Sequence, residues 1–463
     1  MKYEIVCGLE VHVEMNTKTK IFCGCTTAFG GAPNTHTCPV CTGQPGALPV
    51  LNRAVVEGAM STGLALGCEI TRLTRFDRKN YFYPDLPKAY QISQLYAPIC
   101  TGGGIAVTTD GGEEKYIRLH EIHMEEDAGK LVHDPWTEST LCDYNRCGVP
   151  LMEIVTEPDF RSAHEVIDFL TKLRSTLQFL GVSDCKMQEG SIRADLNVSV
   201  RPAGSEKLGT RTEMKNMNSF KAIAKAIETE AARQIEVLEE GRAVKQETRR
   251  WDDNKDATFS MRSKEDAQDY RYFPEPDIPP LELSEEYLEG LRAEQPEMAE
   301  ERKRRYQTQL GLPEYDAGII TGQKALVDFF EEVTALGVPA KEATNWMLGD
   351  MMRRLKEEEL EPKDMRLTPA TLVKLIGMVQ AGRINRNTAS KVFRGIFAED
   401  LDPEEWVTVH GLEQIRDYGA AVFWSFDRKR YQKTNWWPKT ASAEVAPKLT
   451  IRTANTVRKI ARL

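Results

Sequence analysis

The sequence predicts an α+β protein: a strand-rich first part with a few inserted helices, an all-helical second part and a short tail. Three observations predict it. Residues 3–15, YEIVCGLEVHVEM, put Tyr3, Ile5, Cys7, Leu9, Val11 and Val13 on one face and Glu4, Glu10, His12 and Glu14 on the other. A period of two marks a half-buried strand. Two long segments carry helical spacing instead. After the proline-rich exit YRYFPEPDIPPLELS at 270–284, strand signals cease.

The elements follow in order. IRADLNVSV at 192–200 repeats the alternation, with Ile192, Ala194, Leu196, Val198 and Val200 opposite Arg193, Asp195, Asn197 and Ser199. Shorter strand-like runs lie at 105–109, 116–124 and 151–156, some separated by Gly-rich turns. HEVIDFLTKLRSTLQFLG spaces Val166, Phe169, Leu170, Leu173 and Leu177 as one helical stripe and stops at Gly181. FKAIAKAIETEAARQIEVLEEG does the same with Phe220, Ile223, Ile227, Ala231 and Ile235, and stops at Gly241. The regular strand–helix alternation of a doubly wound sheet is missing, so an antiparallel sheet is expected. Short helices separated by Gly and Pro then run to about residue 405. The expected divisions are 1–294, 295–405 and 406–463.

Bulk properties narrow the function. At 463 residues the chain is long enough for about three domains. The N-terminus carries charges throughout and has no apolar signal region, and no stretch reaches the ~18 apolar residues of a membrane span. A soluble, cytoplasmic protein is expected. The net charge of −9 requires any nucleic-acid contact to use a local basic patch. From Ala421 to Leu463 there are ten Lys or Arg against Asp427 and Glu444, with Trp424, Trp436 and Trp437 interleaved. That pattern suits an RNA-facing tail or an unstructured solvated one.

All ten cysteines precede residue 186. Cys23-x-Cys25, twelve residues, then Cys38-x-x-Cys41 has the spacing of a four-thiolate zinc site. Gly24, Pro39 and Gly43 supply turns. Four ligands leave no open position, so the expected role is to fold a loop with no core of its own. Four unliganded thiols are the competing reading, and His36 is a weaker substitute ligand.

The chemistry is expected on the polar strand faces. Glu10 and His12 point the same way, as do Asp195 and Asn197, while Glu125 and Glu126 end one strand and Glu153 lies in another. Carboxylates and an imidazole converging there would bind a divalent metal and, through it, phosphate; Arg193 and Arg201 would meet the phosphates. A solvated sheet face is the plain alternative. No GxxxxGK[ST] loop, no GxGxxG turn opening a helix, no Gly-rich serine motif of amidases and no protease-like cysteine signature is present, so any nucleotide would sit on a sheet.

GLEVHVE, TKTKIFCGC, CPVCTGQPGALPVLN, FDRKNYFYPDLPKAYQISQ, MEEDAGKL, DYNRCGVPLMEIVTEPD, MQEGSIRADLNVSVR, EMKNMNSFKAI, QETRRWD and DYRYFPEPDIPPL together resemble the B subunit of tRNA-dependent amidotransferases, in order from about residue 3 to 405. The resemblance implies part of a ligase whose substrate is Glu-tRNA(Gln) or Asp-tRNA(Asn). Such a protein phosphorylates the side-chain carboxylate with ATP and Mg²⁺, and ammonia then displaces phosphate. The resemblance implies a cradle with a glutamine-synthetase-like sheet. The partners would be an amidase-type glutaminase, the A subunit, and a small C subunit, completing a heterotrimer. Glu10, His12, Glu125 and Glu153 are assigned by it to the metal centre. Arg193, Asp195, Asn197 and Arg201 are the nucleotide-side candidates, and Cys23, Cys25, Cys38 and Cys41 would hold structural Zn²⁺. Lys79, Tyr81 and Lys88 resemble an ammonia path that Glu125 gates. The tail departs from the family: GLEQIRDYGAA begins suitably and FWSFDRKRYQKTNWWPKTASAEVAPK does not continue it, which a translated frameshift or real divergence would explain. A non-catalytic, zinc-stabilised tRNA-binding scaffold and a free-standing glutamine-synthetase-type ligase are the competing functions.

Overall fold

The computed structural model describes residues 2–134, 136–263 and 269–412, with a short strand pair at 416–417 and 422–423. The basic, Trp-containing stretch of the expected tail lies outside the described residues, apart from the backbone of that pair. The chain divides into two compact units, Met1–Ala299 and Glu300–Leu463.

A ten-stranded sheet frames the first unit. Its strands are β1 (Tyr3–Glu14), β2 (Glu69–Ile70), β3 (Cys100–Thr101), β4 (Gly104–Thr108), β5 (Glu114–Glu126), β6 (Pro150–Thr156), β7 (Ile192–Pro202), β8 (Thr212–Lys215), β9 (Glu247–Asp252) and β10 (Ala257–Ser263). Across the sheet the order is β10-β9-β8-β7-β1-β6-β5-β3-β2, with β4 also paired to β5. Most pairings are antiparallel, as the sequence leads one to expect; β8 and β9 pair parallel. A helix, α3 (Phe220–Glu239), connects those two strands. A parallel neighbour needs such a crossover, because a tight turn cannot return the chain in the same direction.

The two faces of β1 explain its central place. Cys7, Leu9, Val11 and Val13 are buried in the main core. Over them lie α1 (Arg53–Ala65), α2 (Ala163–Phe179) and α3, with α2 and α3 in mutual contact and α3 against β7. Helix α2 starts where Ser162 accepts a bond from the Glu165 N–H at 3.3 Å and Glu165 reaches back to the Arg161 N–H at 2.8 Å. This is a variant of the capping box, in which two orphan N–H groups gain acceptors. Gly181, with φ of +70°, takes the left-handed conformation that ends the helix. A three-stranded sheet of Asp77–Asn80, Tyr90–Ser93 and Phe273–Pro274 meets the end of β5, where Gln91 Nε2 donates to the Glu126 carbonyl at 2.8 Å.

The second unit, through residue 412, is helical, from Ala299–Leu310 to Pro403–His410, around a core of Phe330, Trp346, Leu372 and Phe393. One π-helical turn, Met347–Met351, interrupts it. There Asp350 accepts from Arg353 at 2.7 Å and Arg386 at 2.5 Å, and Arg386 stacks on Trp346 at 3.4 Å.

Phe169 of α2 meets Phe160 edge-on, with ring centroids 5.3 Å apart and both rings fully buried. Phe169→Ala leaves a ring-sized void and is expected to destabilise the first unit by about 3–5 kcal/mol. Loss of amide-exchange protection in β1 and β7 measures this, and unchanged protection contradicts it.

Candidate functional site

Strand register gathers the polar groups. His12 pairs with Arg193 on β7 and Glu153 on β6, and Glu153 pairs with His123 on β5. One row toward the N-terminus of β1, Glu10 pairs with Asp195; on the other side, Leu151 pairs with both Glu14 and Glu125. Pleating sends all these polar side chains to the face opposite the helices. Strand spacing, not chain proximity, makes this grid.

His12 Nε2 stands 3.5 Å from Glu153 Oε2 and 3.8 Å from Glu125 Oε1. His123 Nε2 stands 3.1 Å from Glu153 and 3.8 Å from Glu125, and its Nδ1 meets Glu121 at 3.1 Å. Ser93 Oγ approaches Glu125 at 3.5 Å. Burial acts against protonation of His12, but the bond to Glu153 and the charges of Glu153, Glu125 and Asp195 outweigh it and raise its pKa. His123 is raised well above the usual imidazole value on the same balance, burial opposing and Glu121, Glu125 and Glu153 prevailing. Burial also opposes the charge of Glu153, and the two imidazoles hold its carboxyl far below the ordinary range.

Donor atoms of His12, Glu125 and Glu153 lie within 4.8 Å of one another, as do those of Glu10, Asp195 and Glu213. Ligands about 2.1 Å from a magnesium ion stand about 3.0 Å apart when adjacent and about 4.2 Å when opposite. The His12 spacings of 3.5 and 3.8 Å each lie within about half an ångström of one of these values, so slight side-chain movement would let the donor set hold a small divalent ion. In the second group Asn197 Nδ2 donates to Glu10 at 2.9 Å. Lys215 pairs with Asp195 and stands 3.1 Å from Glu213. Burial, then the charge of Glu153, raises the Glu10 carboxyl pKa, and the Asn197 bond opposes that.

The four cysteines also converge, with all sulfurs within 4.8 Å of one another. Sulfurs bound to zinc at about 2.3 Å stand about 3.8 Å apart at tetrahedral corners. Cys38 and Cys41 are 3.9 Å apart. The set is compatible with a structural zinc ion.

Other anticipated residues divide into two groups. Arg193 is on the site face, where it donates to Asp127 at 2.8 Å; Arg146 approaches the same carboxylate at 3.6 Å. Arg201 is not brought to the site. It shares the face of Arg193 but stands six residues beyond Asp195, about 20 Å along the strand, and binds Glu4 at 2.5 Å. A shared face aligns two side chains without bringing them close, and Arg201 does not stand beside Arg193. Lys79 lies over the Tyr270 ring at 5.0 Å, and Tyr81 meets that ring edge-on with centroids 6.0 Å apart. Lys88 pairs with Glu126.

Sequence reasoning missed His123, Asp127, Glu213, Lys215 and Tyr272. Alternation in YIRLHEIHM already placed His123 beside Glu125, so a signal existed. Strand β8, four residues long, is too short to display a period. Tyr272 arrives from an aperiodic segment; burial, then the charge of Glu125, raises its phenol pKa, with Tyr270 and Glu153 adding to it.

Comparison with known proteins places the chain. Residues 5–289 match the GatB/GatE catalytic domain and residues 328–421 the GatB domain. The chain is 61% identical over 418 residues to a protein of Lachnoclostridium phytofermentans named as the B subunit of an aspartyl/glutamyl-tRNA(Asn/Gln) amidotransferase, covering 90% of this chain and 87% of that one. Proteins of the same name from Agathobacter rectalis and Caldicellulosiruptor saccharolyticus are 59% identical over 417 residues and 55% over 420, covering 90% of this chain and 88% and 87% of theirs. No helix among the described residues is long and apolar enough to cross a membrane. With a matched catalytic domain spanning more than half its length, and relatives this similar along nine-tenths of it, the chain belongs to the GatB/GatE family.

Proposed function

We propose that this chain activates and amidates the side-chain carboxylate of Glu-tRNA(Gln) or Asp-tRNA(Asn), in the cytoplasm, as one member of a heterotrimer. The observation that carries the reading is the convergence of His12, Glu125 and Glu153 from three strands beside Glu10, Asp195 and Glu213. The relatives' name supplies the substrate class. On this reading the sheet is a glutamine-synthetase-like cradle for ATP.

The chemistry requires two steps. A carboxylate is a poor electrophile because oxide is a poor leaving group. Its oxygen attacks the γ-phosphorus of ATP, the bond to the β-phosphate oxygen breaks and ADP leaves. Ammonia then attacks the acyl phosphate carbon, phosphate leaves, and the nitrogen loses a proton. Ammonia would come from a glutaminase partner, the A subunit, with the small C subunit completing the assembly. Lys79, Tyr81 and Lys88 would line its route to Glu125.

A bound Mg²⁺ would neutralise phosphate charge; His12, Glu125 and Glu153 would hold it, with Glu10 and Asp195 available to a second ion. Each residue of the chain has its own task. Glu153 lies between the two imidazoles and fixes their orientation. Asn197 orients Glu10, and Lys215 keeps Asp195 and Glu213 close together. Arg193, anchored by Asp127, presents a cation one strand from His12.

In the assembled complex, Glu125→Gln is expected to lower ATP-dependent amidation by ~100-fold or more and to leave tRNA binding little changed. Amide formation from misacylated tRNA, ATP, Mg²⁺ and glutamine measures it, with each component omitted in turn. Surviving activity would favour a tRNA-binding scaffold; activity on unattached glutamate would favour a free-standing ligase.

A second expectation concerns pH. His12 must be neutral to ligate through Nε2, and its pKa in the folded protein is raised. Divalent-ion binding is therefore strong above that raised pKa and weakens as pH falls through it. Mn²⁺ titration from about pH 8 to about pH 5.5 should show progressive loss of affinity, and His12→Asn should flatten the curve. A pH-independent affinity in the wild-type chain would exclude His12 as a ligand.

A further inference from the structure

The cysteine loop contains a buried cation that neither the carboxylate chemistry nor the four-thiol spacing uses. Lys20 is 0% exposed. Its Nζ donates to the His36 carbonyl at 2.7 Å and approaches Cys41 Sγ at 3.6 Å. Its own backbone N–H donates to the Cys25 carbonyl at 2.9 Å. The residue therefore touches both halves of the cluster: CxC through its main chain and CxxC through its side chain. Among the described residues no carboxylate forms an ion pair with Lys20, and the nearby carboxylate of Glu126 pairs with Lys88.

A buried ammonium without an anionic partner is strongly disfavoured. Four thiolates around one zinc ion leave two uncompensated negative charges. Each problem answers the other. Resting on the four-thiolate zinc reading, we infer that Lys20 is the counter-charge and positioning residue of the cluster: its ammonium offsets part of the thiolate charge at Cys41 while its backbone clasps Cys25. The surroundings hold it in place. Ile21 N–H bonds the Gly148 carbonyl at 3.0 Å, and Asn52 Nδ2 bonds the Thr19 carbonyl at 3.1 Å. Asn52 also caps α1. The segment carrying Lys20 is thus fastened on both sides, and its ammonium has little freedom to leave the sulfur.

The test uses the full chain loaded with zinc and a chromogenic chelator. Lys20→Met is expected to release zinc ~10-fold faster or more, the usual scale for losing a partner of a metal ligand, while Lys18→Met, an exposed control, releases it at the wild-type rate. In the cobalt-substituted chain Lys20→Met should shift the sulfur-to-cobalt charge-transfer band, and Lys20→Arg should restore it. A folded Lys20→Met chain with wild-type release and an unshifted band overturns the inference. Should Lys20→Met fail to fold, acetylation of the wild-type chain decides: Lys20 should label ~10-fold more after zinc is chelated, and equal labelling overturns the inference. A wild-type chain that retains no zinc defeats the zinc reading itself, a result distinct from either.

Discussion

Concentrated negative charge on one sheet face is the constraint on which this protein depends. Glu10, Glu14, Glu153, Asp195 and Glu213 project from adjoining strands, joined by Glu125 and Asp127 at the end of β5, and the last two are almost fully buried. Such an array repels itself and is stable only when cations enter it. The chain supplies some: His12 and His123 around Glu153, Lys215 between Asp195 and Glu213, and Arg193 with Arg146 at Asp127. One carboxyl yields instead. Burial, then the charge of Asp127, pushes Glu14 up to about 8. The remaining negative charge favours the approach of a cation.

The apolar face makes that charge tolerable. Helices on Leu9, Val11 and Val13 fix β1, and through it the height of every row on the other side. A polar site on three strands keeps its geometry because the strands are held by a core that lies on the other face from its polar side chains. The cysteine loop works by a different principle. Phe29, Leu48 and Val50 are exposed, so the loop buries few apolar groups of its own and relies on ligands and hydrogen bonds. A cavity of about 120 Å³ beside it is lined by Cys23, Cys41, Lys88 and Glu126, the last of these adjoining Glu125 at the end of β5.

What the sequence made legible follows from range. Alternation in β1 and β7 and the helical stripes of α2 and α3 are local patterns, and they appear in the structure within a few residues of where they were read. The cysteine cluster was legible because its four ligands lie within twenty residues. Register between strands was not. Nothing local says that His12 faces Glu153 and Arg193, whereas the distance of Arg201 from Arg193 follows from their spacing along one strand. The parallel pairing of β8 with β9 escaped for a related reason: α3 was visible as a helix, but its role as a crossover depends on where it packs. Lys20 read as one basic residue in TKTKIFCGC until its burial set it apart.

The place of β1 in the sheet also governs how the protein is made. It leaves the ribosome well before its partners; Glu10 and the Asn197 that bonds it are separated by 187 positions. Until β6 and β7 have been synthesised, an apolar strand with two open edges must wait. The floor of the polar site therefore forms late in translation, and the nascent chain carries an aggregation-prone edge for much of that interval.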